Sequence, residues 1–420
     1  MSSPQTEQLK PMNLSAWPDR INKAMLAGGV ITVAYLLKGY FSDDEAMLKQ
    51  FSFSWLTNFM FFASLGLGGL FLTMVHHLVD ANWSLPIRRI NETLGSLLQV
   101  VAVFFLITCW LTPQYLFSWW DPSGAGAHTH AVVAKSPLLT KTGWYLGTFA
   151  VFAIWCFFSS KLRSWSLRQD EVGGSEPTYK MRMLSYFGMA AFALSLTLGS
   201  ILWVKALEPV WFSTMYGVVY FAGSTWLTLV TVWVIMGMMH RQGVLKDVIK
   251  ERQYYFCGTL FFAFTVFYSY VHFSQFFIIW NANIPEETFW YLERLRGGWY
   301  WVAMLIIFGH FFIPFLTLLR IDAKKNMAIM LPMAGWAWFV HWADMSFNVM
   351  PVLHPEGGAS FLDLAVFLLM GGILYKVFMS RFFAHAAYPL RDPRIAEAME
   401  VYVKPESETN AAKATSGGAK

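Results

Sequence analysis

The sequence predicts an all-α integral membrane protein with ten transmembrane helices, arranged as two repeated four-helix bundles with one further helix on each flank. Three observations lead to this fold class. Hydrophobic residues make up 56% of the 420 residues and charged residues only 14%, a composition typical of polytopic membrane proteins. The apolar residues form ten runs near or above the ~20 residues that cross a bilayer. Short motifs also recur in the same order along the chain.

Each apolar run is predicted to be helical, because unsatisfied backbone amides are too costly in hydrocarbon for an open structure. The ten spans are 25–41, 52–79, 94–117, 138–159, 184–207, 212–239, 254–280, 299–319, 327–350 and 360–383. The first span is the shortest, and Lys38 lies near its end. The fifth carries Lys205 near its end, three residues before Glu208. Pro314 and Pro332 interrupt the eighth and ninth spans.

Three motif pairs indicate an internal duplication. They are Phe53-Ser54 with Phe212-Ser213, 159 residues apart, His76 with His240, 164 apart, and Gly143-Trp144-Tyr145 with Gly298-Trp299-Tyr300, 155 apart. The copies lie four spans apart, so both have the same orientation in the membrane. We therefore expect spans two to five (about 52–207) and six to nine (about 212–350) to be related by an axis along the membrane normal.

Basic residues orient the predicted helices, because loops rich in Lys and Arg remain in the cytoplasm. Ten spans put both termini on one side, and that side holds 23 of the 31 Lys and Arg residues against 7 opposite. We therefore expect a cytoplasmic segment 1–24, a transmembrane domain 25–390 and a cytoplasmic, partly disordered tail 391–420. The net charge of +5 reflects this orientation and does not indicate a nucleic-acid partner.

Ionisable side chains inside the spans are concentrated in the second half of the chain. They are His272, His310, His341, Asp344, Asp363 and Lys376 in spans seven to ten, whereas spans two to four have none away from their ends. Such groups are costly in lipid and therefore point to function. With the ~1.5 Å rise of a helix, His310 lies near mid-membrane.

Helical spacing places several of these groups on common faces. His341, Asp344 and Asn348 are spaced i, i+3, i+7, and Tyr268, His272 and Gln275 share a face of span seven. We predict a proton path formed by His272, Gln275, His310, His341, Asp344 and Asp363. Imidazole, with an ordinary pKa near 6.5, suits proton exchange around neutrality.

Two other interpretations of these histidines remain open. Each imidazole could simply donate to a neighbouring carbonyl and hold helices together. Alternatively, His310 and His341 lie at comparable depth and could ligate a b-type haem.

The loop 281–298 has the densest local pattern of acids, guanidiniums and aromatic rings. Glu286, Glu287, Arg294 and Arg296 predict a docking surface for partner subunits on the outer face. The alternative is an interfacial aromatic belt with local ion pairs.

At the inner ends of spans two and six, histidines and arginines follow the apolar runs. We expect these groups to meet lipid headgroups, with inner proton entry as the alternative. They are His76, His77, Asp80, Arg88, Arg89 and Glu92 after span two, and His240, Arg241 and Arg252 after span six. The three cysteines, Cys109, Cys156 and Cys257, are isolated inside spans, so the chain has no motif for covalent haem or an iron–sulfur cluster. No metal site and no complete catalytic site is predicted.

The run from Ile278 to Thr288 (Ile-Ile-Trp-Asn-Ala-Asn-Ile-Pro-Glu-Glu-Thr), followed by Trp290-Tyr291, is the most specific motif. With the His76–Glu92 connection and the Glu208-Pro209 start of span six, it resembles the NrfD/polysulfide-reductase family of membrane anchors. Within that family it is similar to the F subunits of bacterial alternative complex III, the quinol:cytochrome c oxidoreductases. The resemblance covers nearly all of residues 20–390.

The resemblance implies a subunit of a respiratory or photosynthetic quinol:electron-acceptor oxidoreductase in the bacterial inner membrane. It also implies partner subunits with haem c and iron–sulfur clusters on the outer face, a paralogous ten-helix subunit and surrounding lipids, with menaquinol or another quinol as substrate. In such anchors the first bundle holds the quinol, but here that bundle lacks an intramembrane acid or His to accept quinol protons.

We therefore expect this chain to scaffold the complex and conduct protons through the second bundle, without binding a redox cofactor or oxidising quinol itself. A secondary transporter or channel is one alternative, and a b-haem electron carrier is another. Transporters built from repeats usually have broken helices in both halves, whereas Pro314 and Pro332 interrupt only the second.

Overall fold

A computed structural model describes residues 19–121, 123, 129–246 and 248–399. Within these ranges the chain is helical and has no β-strand. The helices are α1 (Asp19–Phe41), α2 (Glu45–Leu78), α3 (Arg88–Ser96), α4 (Leu98–Leu111), α5 (Pro113–Leu116), α6 (His130–Ala134), α7 (Lys141–Val172), α8 (Glu176–Trp203), α9 (Tyr216–Arg241), α10 (Glu251–Ala282), α11 (Pro285–Arg294), α12 (Trp299–Ile306), α13 (Ile313–Leu318), α14 (Met327–Val349), α15 (Phe361–Phe383) and α16 (Ile395–Ala398). Most of the predicted N-terminal segment and the tail beyond residue 399 lie outside the described residues.

The described part of the chain has nine helical segments long and apolar enough to cross a membrane. They coincide with nine of the ten predicted spans and indicate a multi-pass membrane protein. Large apolar side chains such as Trp110, Phe187 and Leu194 point away from the protein, as lipid-facing residues do. A conventional soluble fold would leave such side chains in water, at a high cost in free energy.

The ninth predicted span is also a helix, α14, but it is less apolar than the other nine and is not among them. His341, Asp344 and Asn348 reduce its apolar character, and most of its last two turns are buried by other helices. The total of ten membrane-crossing helices therefore stays a prediction.

Two predicted spans are interrupted. The third is divided at Leu97 between α3 and α4. The eighth comprises α12, a π-helical turn at Ile307–Phe312, and α13. Pro314 follows the turn and cannot donate a backbone hydrogen bond to the preceding turn, which gives a physical reason for the irregularity. Single π-turns are frequently found at functional sites.

Helices α2 and α9 pack against each other at the centre of the protein. Helix α2 also packs against α4, α8 and α14, and α9 packs against α10, α14 and α8. Helices α8 and α14 therefore each contact both central helices. Helix α1 lies outside this arrangement and packs mainly on α15.

The interpretation as headgroup ligands is wrong for the histidines and arginines that follow span two. After span six, Arg241 and Arg252 are exposed, and there the interpretation stays a prediction. His76, His77, Arg88 and Arg89 are at most 2% exposed, because protein groups surround them. The guanidinium of Arg88 donates to Asp392 at 2.8 Å, and that of Arg89 pairs with Asp170. The alternative interpretation, proton entry, stays a hypothesis.

A segment after α15 supplies part of this buried ion network. Asp392 accepts from Arg88 and Arg394, and Arg394 also pairs with Asp80. Farther along, the backbone carbonyl of Ala398 accepts from the buried Gln253 of α10. The segment 384–399 thus joins α3 to α10 across one end of the protein, and we call it the C-terminal strap.

Candidate functional site

Three predicted path residues meet in one buried cluster. His310 lies in the π-turn, and His341 and Asp344 lie one turn apart on α14. A ring nitrogen of each histidine and a carboxylate oxygen of Asp344 all lie within 4.8 Å of one another. All three side chains are at most 1% exposed. We call these residues the His–Asp cluster.

His310 is held by stacking. Its ring lies between Trp226 and Tyr268, with ring centroids 3.7 and 3.6 Å away. Neither ring nitrogen has a hydrogen-bonding partner among the described residues. The two aromatic faces therefore fix the ring plane while leaving both nitrogens free to exchange a proton with a neighbour.

His341 joins the cluster to the first bundle. Its Nε2 lies 3.1 Å from the hydroxyl of Ser64, which itself donates to the carbonyl of Phe61 at 2.6 Å. Because that hydroxyl proton is already used, Nε2–H is the donor and Nδ1 is the proton-accepting nitrogen. Within the described residues Nδ1 has no hydrogen-bonding partner.

Neutral donors hold the carboxyl group of Asp344. The Tyr268 hydroxyl donates to Oδ2 at 2.9 Å, and the Asn348 amide donates to Oδ1 at 3.1 Å. Nδ1 of His272 lies 3.2 Å from the same Tyr268 hydroxyl. His272 therefore reaches Asp344 through Tyr268.

Two predicted path residues lie outside the cluster. Gln275 bonds to the hydroxyls of Tyr291 and Ser213, both 3.0 Å away. Asp363 accepts from Ser54 at 2.5 Å and closes the capping box at the start of α15. The sequence positions of Gln275 and Asp363 did not indicate that nearby side chains would form hydrogen bonds with both of them.

The predicted docking residues divide in a similar way. Glu286 and Arg296 are exposed and Glu287 is half-buried. Arg294 is fully buried and donates to Glu208 at 2.6 Å and to the carbonyls of Phe347 and Asn348. Arg294 thus forms hydrogen bonds with carbonyls at the end of α14, and its guanidinium is not exposed for a partner.

The space around the cluster does not admit a haem. Rings cover both faces of His310, and the cavity beside Asp344 measures about 20 Å³, enough for a water but not a porphyrin. The His–Asp cluster has the donor set of a metal site, and the hydrogen bonds from Tyr268 and Asn348 leave each oxygen of Asp344 a further lone pair. The absence of a metal site therefore stays a prediction.

The interior of the first half of the chain is aromatic. There Trp203 packs against Phe59, Phe105, Phe152 and Trp155. The 155-residue offset of the Gly-Trp-Tyr motifs pairs His310 with Trp155 in the sequence. If the predicted duplication holds, this aromatic core corresponds to the region of the ionisable groups in the second half.

No protein-family model matches this chain, and no curated protein matches it significantly. The resemblance to the NrfD-like anchors depends on the motifs in the sequence.

Sequence reasoning missed several members of the site. Trp226 and Ser64 contact the two histidines from α9 and α2. Tyr216 donates to the side chain of Asn348 at 2.9 Å. Spacing along one helix shows which residues share a face, but it cannot show which residue of another helix will face them.

Proposed function

We propose that this chain is an integral membrane subunit of a quinol:electron-acceptor oxidoreductase of the alternative complex III type. In this role it scaffolds the complex and carries protons through its second bundle. The observation that supports proton transfer most strongly is the buried His–Asp cluster with its free ring nitrogens. The oxidoreductase assignment is supported by the motif between Ile278 and Thr288.

The chemistry of the cluster favours proton exchange over a purely structural role. Burying a carboxyl group costs several kcal/mol unless it is neutralised or well hydrogen-bonded. Asp344 has two donors, yet two imidazoles with unpartnered nitrogens also lie beside it. If these histidines served only to hold helices together, we would expect their ring nitrogens to form hydrogen bonds, or apolar side chains to stand in their place.

We further propose ten membrane-crossing helices in two related bundles, with α1 and α15 on the flanks. The reciprocal packing of α8 and α14 on α2 and α9 supports a twofold relation. So do the two Gly-Trp-Tyr tryptophans: Trp144 donates to the carbonyl of Leu202, and Trp299 to that of His354, each near the end of its bundle's last helix. In this arrangement protein surrounds the end of α14 that carries His341 and Asp344, while Leu331 and Phe339 face the lipid.

Quinol oxidation is assigned to another subunit. Among the described residues, the aromatic rings that pack around Trp203 include no acid or His to accept a quinol proton. Haem c and iron–sulfur clusters belong to the partners in this proposal, and the exposed Glu286 and Arg296, with the half-buried Glu287, contribute to their docking surface.

The central test is Asp344→Asn in the complete complex purified in mild detergent and reconstituted in liposomes. We expect unchanged partner composition and a decrease in proton translocation, relative to electron transfer, of at least about tenfold, because a positioned proton-transfer group is lost. Asp322→Asn is the matched control, since it makes the same chemical change at an exposed inner loop.

Normal translocation in both Asp344→Asn and His341→Gln would contradict the relay. The same purification separates the alternatives for function. Multihaem and iron–sulfur chains eluting with the subunit agree with the proposal, whereas a solitary transport-active homo-oligomer would favour a secondary transporter.

A further inference from the structure

A small cavity of about 20 Å³ lies beside Asp344, between α2, α9 and α14. Its lining is mainly apolar, with Tyr216, Asp344 and Asn348 among the residues that contribute polar atoms. A cavity of this size can hold one water when such partners are available. A water held there would give Asp344 a second proton-exchanging neighbour, and His310 is not among the residues that line the cavity.

Tyr216 connects this cavity to the predicted outer end of the protein. Its hydroxyl donates to Asn348 Oδ1 at 2.9 Å, and Asn348 donates to Asp344. Tyr216 also lies within electrostatic reach of both Asp344 and the Arg294–Glu208 ion pair. Arg294 donates both to Glu208 and to the carbonyl of Asn348, so Asn348 connects the Tyr216 hydroxyl to this ion pair.

Glu208 is half of a carboxyl pair at that surface. The side chains of Glu208 and Glu293 lie near each other and line the same cleft. Partial burial, followed by the charge of Glu208, raises the pKa of Glu293. The pair borders an open cleft of about 400 Å³. The charged and titratable groups that face it are Arg294, Arg296, Glu356 and Tyr216.

A second buried polar row also runs toward the predicted outer end, but it ends elsewhere. His354 bonds to Gln50, Gln50 donates to Ser54, and Ser54 donates to Asp363. The hydrogen bonds of Asp344 within the described residues go to Tyr268 and Asn348, not to this row. The row therefore provides a comparison. It also consists of hydrogen-bonded polar side chains that run toward the predicted outer end, but it forms no hydrogen bond with the His–Asp cluster.

We infer that Asp344 exchanges protons with the outer aqueous phase through the cavity and Tyr216, with the Glu208–Glu293 pair as the outlet. This inference rests on the proposed function, because it names the exit of the same relay. The Asp344 O–H bond breaks as a cavity water gains the proton. The Tyr216 hydroxyl then accepts one proton and releases another, and a carboxylate oxygen of the pair gains it. No electron is transferred.

The test follows the infrared carbonyl band of protonated Asp344 in the full-length chain in lipid nanodiscs, assigned by its loss in Asp344→Asn. The band shifts when the carboxyl proton exchanges for deuterium. The rate of this shift after transfer to D₂O therefore measures the access of water protons to Asp344, and the measurement does not require transport activity. We expect Tyr216→Phe to slow exchange about tenfold, since it removes one hydrogen-bonding hydroxyl from the route. Glu293→Gln, at an exposed position, should also slow exchange.

His354→Gln is the control in the second row and should leave the exchange rate unchanged. Unchanged exchange in both Tyr216→Phe and Glu293→Gln would overturn the outlet. So would slowing by His354→Gln alone, or the absence of any Asp344 band across the accessible pH range. If instead exchange slows as expected while Asp344→Asn translocates protons normally, the outlet stands as an access route and the proposed relay function fails.

Discussion

Tyr268 holds three members of the site at once. Its ring stacks on His310, and its hydroxyl contacts both Asp344 and His272. Stacking depends on the ring, whereas proton exchange depends on the hydroxyl. A substitution that removes only the oxygen therefore separates the two roles.

We expect Tyr268→Phe to reduce proton translocation while costing only about 1 kcal/mol of stability, the typical value of one hydrogen bond. Translocation in liposomes and thermal unfolding in detergent check the two parts. Tyr145→Phe is the matched control, because its hydroxyl donates to the carbonyl of Cys109 in the first bundle. Equal losses of translocation in both variants would show that the effect is structural.

The sequence predicted the ionisable residues of the His–Asp cluster but not the residues that contact them. His341 and Asp344 could be placed together because both lie on α14 at helical spacing. The stack of Trp226 on His310 has no such signature, since it depends on how α9 packs against a π-turn. Arg294 looked like a surface residue because its loop is polar, and its burial depends on the distant Glu208.

Among the helices, α15 shows how a buried acid can have a local explanation. Ser360 and Asp363 form the capping box at its start, and Asp363 also accepts from Ser54 of α2. A cap of this kind satisfies backbone amides that the first helical turn leaves free. The intramembrane acid predicted for the proton path thus has a sufficient structural role.

We expect Asp363→Asn to lower the stability of the purified chain by about 1 kcal/mol, because it weakens the cap and the bond from Ser54. Proton translocation per turnover should remain normal. Thermal unfolding and liposome assays of the assembled complex measure these quantities. A translocation defect as large as that of Asp344→Asn would restore Asp363 to the path.

For the whole molecule, the C-terminal strap is one of the contacts that join the two halves at one end, beside the ring contact of Trp83 with Phe256. Burial opposes ionisation of Asp392, but hydrogen bonds from Arg394 and the charge of Arg88 outweigh it and lower the pKa to about 2. A folded-state pKa below the ordinary value near 3.9 stabilises the docked strap above that pH. This contribution, about 2 kcal/mol, is lost as the pH falls through about 2.

Asp392→Asn should therefore release the strap at neutral pH, where the native carboxylate holds it. Limited proteolysis within residues 384–399 provides the measurement, with cleavage faster in the variant than in the native chain. Asp322→Asn serves again as a control at an exposed ion pair. Equal protection of the variant and the native strap at neutral pH would show that Asp392 does not hold it.

The sequence predicted the helical membrane architecture well, because apolar runs report directly on lipid contact. It did not predict that Arg88 and His77 would be enclosed, since positive charge at the end of a span is equally compatible with lipid phosphate. The strap that encloses them comes from a segment about 300 residues later in the sequence, as the pairing of Arg88 with Asp392 shows. A contact between residues so far apart produces no periodic pattern in the sequence.

The polarity of α14 has a consequence for biosynthesis. An Asp costs up to roughly 2.5–3.5 kcal/mol, the value at a helix centre, when the helix partitions alone from the translocon into lipid. Asp344 lies in the last two turns of α14, where the cost is smaller but still unfavourable. Helices α2 and α9, against which α14 packs, both precede it in the chain. We expect these two helices to be in the membrane before α14 emerges from the ribosome and to provide the surface against which α14 packs. The order of synthesis then matches the order in which the helices can enter the bilayer.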